Sequence, residues 1–307
     1  MSTDQLEVTM RHSMNTMPTE IGQMGAEGIR DLVKRATALA PIATYAEQSE
    51  PPVSWASIAS AGWDLAGVVE DGEGATSRDL VSMAREWGYG CIPQPLLPTL
   101  LAKRHSAVAR ECDGPVTFAL ALGGQSLIPF GTVDGISFVT TLGDNGGTLM
   151  SMPRGEQDGV DLVARGVRTS AEVTTSMTEG VAKEVALVFA AEALGGAERL
   201  LADSIEFVKQ RTQFGRPVGS FQAVKHKLAN AAVAVESAET ALIWGSQRSE
   251  EAFRSAMFAI DKCIDVAEIA TQTHGGLGFT WEVGLHFPFR KFLVAAHVAA
   301  GLETVHG

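Results

Sequence analysis

The 307-residue sequence predicts a mainly α protein with a small β unit. Two observations carry that expectation. Apolar residues recur at spacings of three and four through the C-terminal half, the period of helices that bury one face, and a central stretch breaks into short β-like runs split by glycine-rich turns. With 45% hydrophobic and 20% charged residues, the chain belongs to the globular class and has enough apolar surface for a large core.

Residues 1–26 are polar and Met-rich without an apolar period, so they are expected to be disordered. Asp4, Glu7 and Glu20 stand where a secretion signal carries positive charge, and none is expected. An N-terminal helical domain over 27–112 follows, with helices at 28–39, 55–61 and 78–87, the last capped by Thr76 or Ser77. Pro93, Pro95 and Pro98 then stop regular structure.

A small β domain over 113–170 has runs at 116–122, 136–141 and 160–164, divided by Gly123-Gly124 and Asn145-Gly146-Gly147. From 171 to 307 the pattern is a four-helix bundle. Its first helix, at 173–210, holds Gly195 and Gly196, which permit close approach of a neighbour. Its second carries a seam of Phe221, Val224, Leu228, Ala231, Val235, Ala238 and Leu242. A third, at 249–273, ends at Gly275-Gly276, where a left-handed cap is expected, and a fourth follows Pro288.

Thirty-six acidic against twenty-four basic residues give a formal charge of −12, which argues against nucleic acid or an anionic membrane as partner. No apolar run approaches the roughly 20 residues of a membrane span. Cys91, Cys112 and Cys263 are odd in number and scattered, which predicts reduced thiols and a cytoplasmic protein. His274 and His297 have no carboxylates at metal spacing and read as packing or surface residues.

Two segments are more specific. Arg211-Thr212-Gln213-Phe214-Gly215, continuing to Gln222, resembles the arginine-x-x-phenylalanine-glycine turn of the acyl-CoA dehydrogenase family. Gln272-Thr273-His274-Gly275-Gly276-Leu277-Gly278 resembles that family's glutamine-x-x-glycine-glycine-x-glycine loop. The resemblance implies the family's three-part fold of N-terminal helices, middle β domain and C-terminal four-helix bundle, and it implies FAD. By match, Arg211 contacts the pyrophosphate, with Gln213 in the same turn. Phe214 packs near the adenine ribose, Gln222 hydrogen-bonds the same half of the cofactor, and Gln272, Gly275 and Gly276 supply the second loop.

The family's catalytic glutamate has no counterpart. One family position falls at about Ala299, with Glu303 a turn away; the other falls at Val185, beside Glu184. Lys183 and Ala186 stand where the family offers an aspartate and an arginine, and the flavin-ring stretch of the β domain is replaced by Ala119-Leu120-Ala121-Leu122-Gly123-Gly124-Gln125-Ser126. The resemblance therefore implies the short, non-catalytic subunit of a two-plus-two acyl-CoA dehydrogenase acting on steroid side-chain CoA esters. It would complete the adenosine–pyrophosphate half of an FAD site on a longer catalytic subunit, and the complex would pass electrons to an electron-transfer acceptor. Two alternatives stay open: a self-sufficient homo-oligomer using Glu184 or Glu303 as base, and a flavin-free scaffold.

Overall fold

The computed structural model describes residues 16–38, 40–46, 50–70, 72–122, 125–143, 147–151, 157–159, 167–169 and 173–307. The N-terminal zone contains helices α1 (Glu20–Thr37), α2 (Ala43–Ala46), α3 (Trp55–Ser60), α4 (Ser77–Gly90), α5 (Leu96–His105) and α6 (Ala107–Arg110), with a small ladder of β1 (Val69–Glu70) and β2 (Glu73–Gly74).

The expectation of disorder up to residue 26 is corrected by α1, which begins at Glu20; residues 1–15 lie outside the described residues. The cause is a long-range cap that no local period reveals. The fully buried Asp79 carboxylate accepts from the Thr76 backbone N–H at 2.8 Å, closing the capping box of α4. It also accepts from the Thr19 backbone N–H and hydroxyl, both at 2.8 Å, and Thr19 is the N-cap of α1. One carboxylate thus fixes the start of two helices. Pro98 also departs from expectation. It lies inside α5 as the third residue, where a missing N–H costs no intrahelical bond.

The β unit holds β3 (Val116–Phe118), β4 (Leu120–Leu122), β5 (Gln125–Ile128), β6 (Ser137–Val139), β7 (Thr141–Leu142), β8 (Leu149–Ser151), β9 (Gln157–Gly159), β10 (Val167–Thr169) and β11 (Ser176–Met177). One sheet runs β3-β6-β8 with β3 and β6 parallel; another runs β4-β5-β10-β9, antiparallel throughout. The expected strand at 160–164 and the turns at Gly123-Gly124 and Asn145-Gly146 lie outside the described residues. Ala119 donates its N–H to the Thr175 hydroxyl at 2.9 Å, and Val173 donates its N–H to the Ser126 hydroxyl at 3.3 Å. Both ends of the substituted stretch are therefore engaged within the sheet.

The bundle comprises α7 (Glu179–Gln210), α8 (Gln222–Gln247), α9 (Ala252–His274) and α10 (His286–His306). The strand β11 delays α7 by six residues relative to the expected start, and Thr178 caps it. The expected seam of α8 is half-buried at Phe221, Val224 and Leu228 and buried from Ala231 to Leu242. One apolar cluster joins Ile29, Trp87, Phe118, Leu194, Ala238, Ile260 and Leu302, so the three zones share a core.

The spine of this arrangement is the crossing of α4 on α7. A Cβ at Gly88 would lie 2.0 Å from the Glu192 carbonyl oxygen, and one at Gly195 would lie 1.9 Å from that of Arg85. Only glycine lets these backbones meet. Around the contact, Arg85 donates its Nε–H to Glu198 at 3.0 Å and also pairs with Glu239 on α8, while the buried Lys291 of α10 pairs with Glu192. Gly195→Ala is expected to lower stability by about 1–3 kcal/mol through overpacking. Gly180→Ala, whose Cβ would meet nothing within 4 Å, should be neutral or stabilising by up to about 1 kcal/mol. Urea denaturation of the two variants measures the contrast.

Candidate functional site

The connection from α7 to α8 is a tight hairpin, β12 (Thr212–Gln213) against β13 (Arg216–Pro217), with Thr212 opposite Pro217 and Gln213 opposite Arg216. Its two-residue turn is Phe214-Gly215, both at positive φ, 53° and 77°. Such turns favour Asn-Gly, because a β-carbon is strained in the left-handed region. Here the strained position carries a phenylalanine that is 92% exposed. Its ring forms a T-shaped pair with Phe221, at 6.2 Å between centroids, and the Arg216 guanidinium covers Phe221 at 4.1 Å. Val218 donates its N–H to the Arg211 carbonyl at 2.8 Å, which closes the base of the hairpin and leaves the Arg211 side chain exposed.

The second loop begins where α9 ends. Gly275 has φ 61° and ψ −136°, a positive φ that glycine permits, although this ψ lies outside the left-handed helical well that was expected. A short 3₁₀ turn over Gly275–Phe279 follows. A Cβ at Gly275, Gly276 or Gly215 would meet nothing within 4 Å, so these backbones are open to an approaching group. A Cβ at Gly278 would strike the Thr271 carbonyl at 2.5 Å, so this glycine lets the turn fold back on α9.

Two contacts bring the loops to one end of the bundle. Phe207, four residues before Arg211, stacks on the buried His274 at 4.3 Å, and the His274 Nδ1 lies 2.8 Å from the Ala270 carbonyl. Lys227 on α8 donates to the Gln272 Oε1 at 3.0 Å. Arg211, Gln213, Phe214, Gln222, Gln272, Gly275 and Gly276 are all exposed at this end. His274 packs and His297 is exposed, as the sequence suggested. The aromatic Phe279, 83% exposed, and the cations Arg216 and Lys227 join the same end. Sequence reasoning passed over them, although the absence of acidic residues from 208 to 235 marks the region as cationic.

Three of the positions at which a base was sought, Glu184, Val185 and Ala299, are closed. Val185 and Ala299 are fully buried in the main apolar cluster, where an ionised carboxylate would be unsolvated. Glu184 is buried and clamped. Its carboxylate accepts from the Ser77 hydroxyl at 2.6 Å and from the Arg104 Nε–H at 2.9 Å, and it meets the His105 Nε2 at 2.5 Å. Burial raises its pKa, but the His105 hydrogen bond and the charge of Arg104 outweigh burial and hold it below the ordinary value. Such a group resists taking a proton. Glu303 is exposed near the end of α10. The three cysteines are free; burial pushes the Cys91 thiol up to about 12 and also raises Cys263, so both stay protonated. Among the described residues no His, Cys, Asp and Glu cluster could hold a metal ion, and no helix is long and apolar enough to cross a membrane.

The family description "Acyl-CoA dehydrogenase, C-terminal domain" matches residues 176–303, which hold both loops. The acyl-CoA dehydrogenase IpdE2 of Mycobacterium tuberculosis is 31% identical over 242 residues, covering 75% of this chain and 75% of that protein. Among solved structures, the ChsE4-ChsE5 complex from Mycobacterium tuberculosis aligns with a TM-score of 0.69 at 19% identity, covering 94% of this chain and 95% of the other. The Tcur3481-Tcur3483 steroid ACAD aligns with a TM-score of 0.66 at 21% identity, covering 94% of this chain and 96% of the other. With the two loops, the three-part architecture and a relative matched over three quarters of its length, this chain belongs to the acyl-CoA dehydrogenase family.

Proposed function

We propose that the chain is the smaller of two unlike subunits in a flavin-dependent acyl-CoA dehydrogenase. It supplies the adenosine–pyrophosphate half of an FAD site, and a longer subunit supplies the glutamate base, the flavin-ring contacts and most of the acyl-CoA site. The observation that carries this is Phe214. A large aromatic held at positive φ and 92% exposed adds strain and little burial, so its use lies in covering a ligand. The substrate class proposed is a bulky acyl-CoA, a steroid side-chain CoA ester, by analogy with the steroid ACAD that shares the fold.

The residues present fit half of the cofactor. Arg211 and the open amides at Gly275-Gly276 suit a pyrophosphate, the Phe214 face suits an adenosine, and Gln213, Gln222 and Gln272 offer amide donors and acceptors. FAD held there would supply the acceptor for the hydride that leaves the β-carbon of the acyl thioester. This chain's part is to hold and orient the distal half. Among the described residues Val185 and Ala299 stand at the family's base positions and Glu184 is clamped, which supports leaving the α-proton to the longer subunit.

The lone chain should be colourless, and co-expression with the longer subunit should give a yellow two-plus-two complex with one FAD per unlike pair, read by absorption and mass. A yellow homo-oligomer with one FAD per chain would sink the proposal. Arg211→Ala should weaken FAD binding by roughly 10- to 100-fold, through loss of a charge-assisted hydrogen bond worth about 1.5–3 kcal/mol. Phe214→Asn should leave thermal stability equal or higher, by relieving the turn, while FAD content falls. An unchanged FAD content in both variants would favour the scaffold reading.

Glu184→Gln tests the displaced base. Removing the charge of buried Glu184 opposite half-buried Arg104 should destabilise the fold by about 3 kcal/mol at neutral pH. Because Glu184 titrates below its ordinary value near 4.5 when folded, its contribution is complete above that pH. The stability gap to the variant should therefore shrink as pH falls through the folded-state pKa. The assembled Glu184→Gln and Glu303→Gln complexes should still dehydrogenate acyl-CoA; abolished turnover with intact FAD would restore the base.

A further inference from the structure

The two turns at the end of the bundle belong to different helices, and a diphosphate held by both needs their separation fixed before it arrives. Two contacts cross between them. The bond from Lys227 to the Gln272 Oε1 is exposed, so water competes for both partners. The other is the stack of Phe207 on His274, with ring centroids 4.3 Å apart and planes 25° from parallel. Phe207 is half-buried and His274 is buried, which keeps this contact largely out of water.

Each ring is tied to its own turn by a second bond. The Phe207 carbonyl accepts from the Arg211 N–H at 2.9 Å, the bond that ends α7, and the Arg211 carbonyl in turn closes the hairpin. The His274 Nδ1 lies 2.8 Å from the Ala270 carbonyl, which has only lone pairs, so this nitrogen carries a hydrogen and donates it. That bond sets the rotation of the ring on the last turn of α9, one residue before Gly275. Gly278 folds back beside the same residue, where a Cβ would lie 3.2 Å from the His274 Cβ. We propose that Phe207 and His274 are positioning residues for the distal half of the cofactor. Their stack fixes the separation between Arg211 and the amides of Gly275-Gly276, so that one diphosphate meets both. The inference rests on the cofactor-half reading and adds to it a pair of side chains that touches no ligand. An alkyl side chain at 207 would fill space without offering the imidazole a flat face.

The test is a double-mutant cycle on the flavin-bearing assembly, stripped of FAD and titrated with FAD and, separately, with ADP, which spans only the half assigned to this chain. Phe207→Leu and His274→Asn should each weaken both ligands about three- to tenfold, the worth of one aromatic stack. The double variant should bind no more weakly than the weaker single, because both substitutions remove the same contact. Phe207→Tyr, which keeps the ring, should bind as the unaltered chain does, while Phe207→Leu does not. Phe207→Met, unbranched and adaptable, takes the place of Phe207→Leu if the latter does not assemble. Unchanged affinity in the Phe207 and His274 variants, or losses that add, overturns the inference alone when Arg211→Ala still weakens FAD binding. If Arg211→Ala also binds FAD unchanged, or if the chain enters no flavin-bearing assembly, the cofactor-half reading falls with it.

Discussion

The fold depends on the contact of two bare backbones. Gly88 on α4 and Gly195 on α7 let these helices meet at a separation that no side chain would allow, and α7 also packs against α8, α9 and α10. Its position sets theirs. The charged groups around the crossing follow from it. Arg85 is buried enough to need its carboxylates and close enough to reach Glu198 on α7 and Glu239 on α8, so the ion pairs fix which way the close-packed helices face. Their net contribution to stability is smaller than their contacts suggest, because each charge also loses water.

Glu184 belongs to the same framework. Its bonds run to Ser77 at the start of α4 and to Arg104 and His105 at the end of α5, and His105 in turn accepts at its carbonyl from the Gly143 N–H of the β unit at 3.0 Å. Arg104 also donates to the carbonyls of Gly67 and Ala75. A carboxylate beside the family's catalytic position has thus become the joint where N-terminal helices, β unit and bundle meet. Proton abstraction needs a base that gains from taking the proton; this one would release Arg104 and His105 if it did.

Where the sequence was legible, the signal was local. The bundle helices follow from their three- and four-residue spacing, and the two loops were recognisable by their resemblance to two short family motifs, Arg211 to Gly215 and Gln272 to Gly278. The misses came from interactions distant in sequence. The start of α1 depends on Asp79, sixty residues away from Thr19, and no period in residues 16–26 announces it. The placement of Glu184 could be narrowed by helix rotation but not its clamp, because Ser77, Arg104 and His105 come from other elements. Phe279 and Lys227 escaped notice for a different reason. An aromatic after a glycine-rich turn and a lysine on a helix are ordinary in sequence, and only their exposure at one end gives them meaning.

If that end holds half of a cofactor, as proposed, the chain needs a second surface to complete the site. A cofactor site needs donors and apolar faces on both sides of the ligand, since a nucleotide covered on one face keeps most of its water and most of its freedom. On that proposal the two turns offer one side, exposed, with a positive φ at Phe214 and, among the described residues, no acidic partner for Arg211. These are features that folding alone disfavours and that a second surface would reward: the ligand's burial, the relief of repulsion among cations and the covering of aromatic rings all arrive in one event. Under that proposal cofactor affinity and subunit affinity would be linked by reciprocity, so whatever tightened one would tighten the other by the same factor.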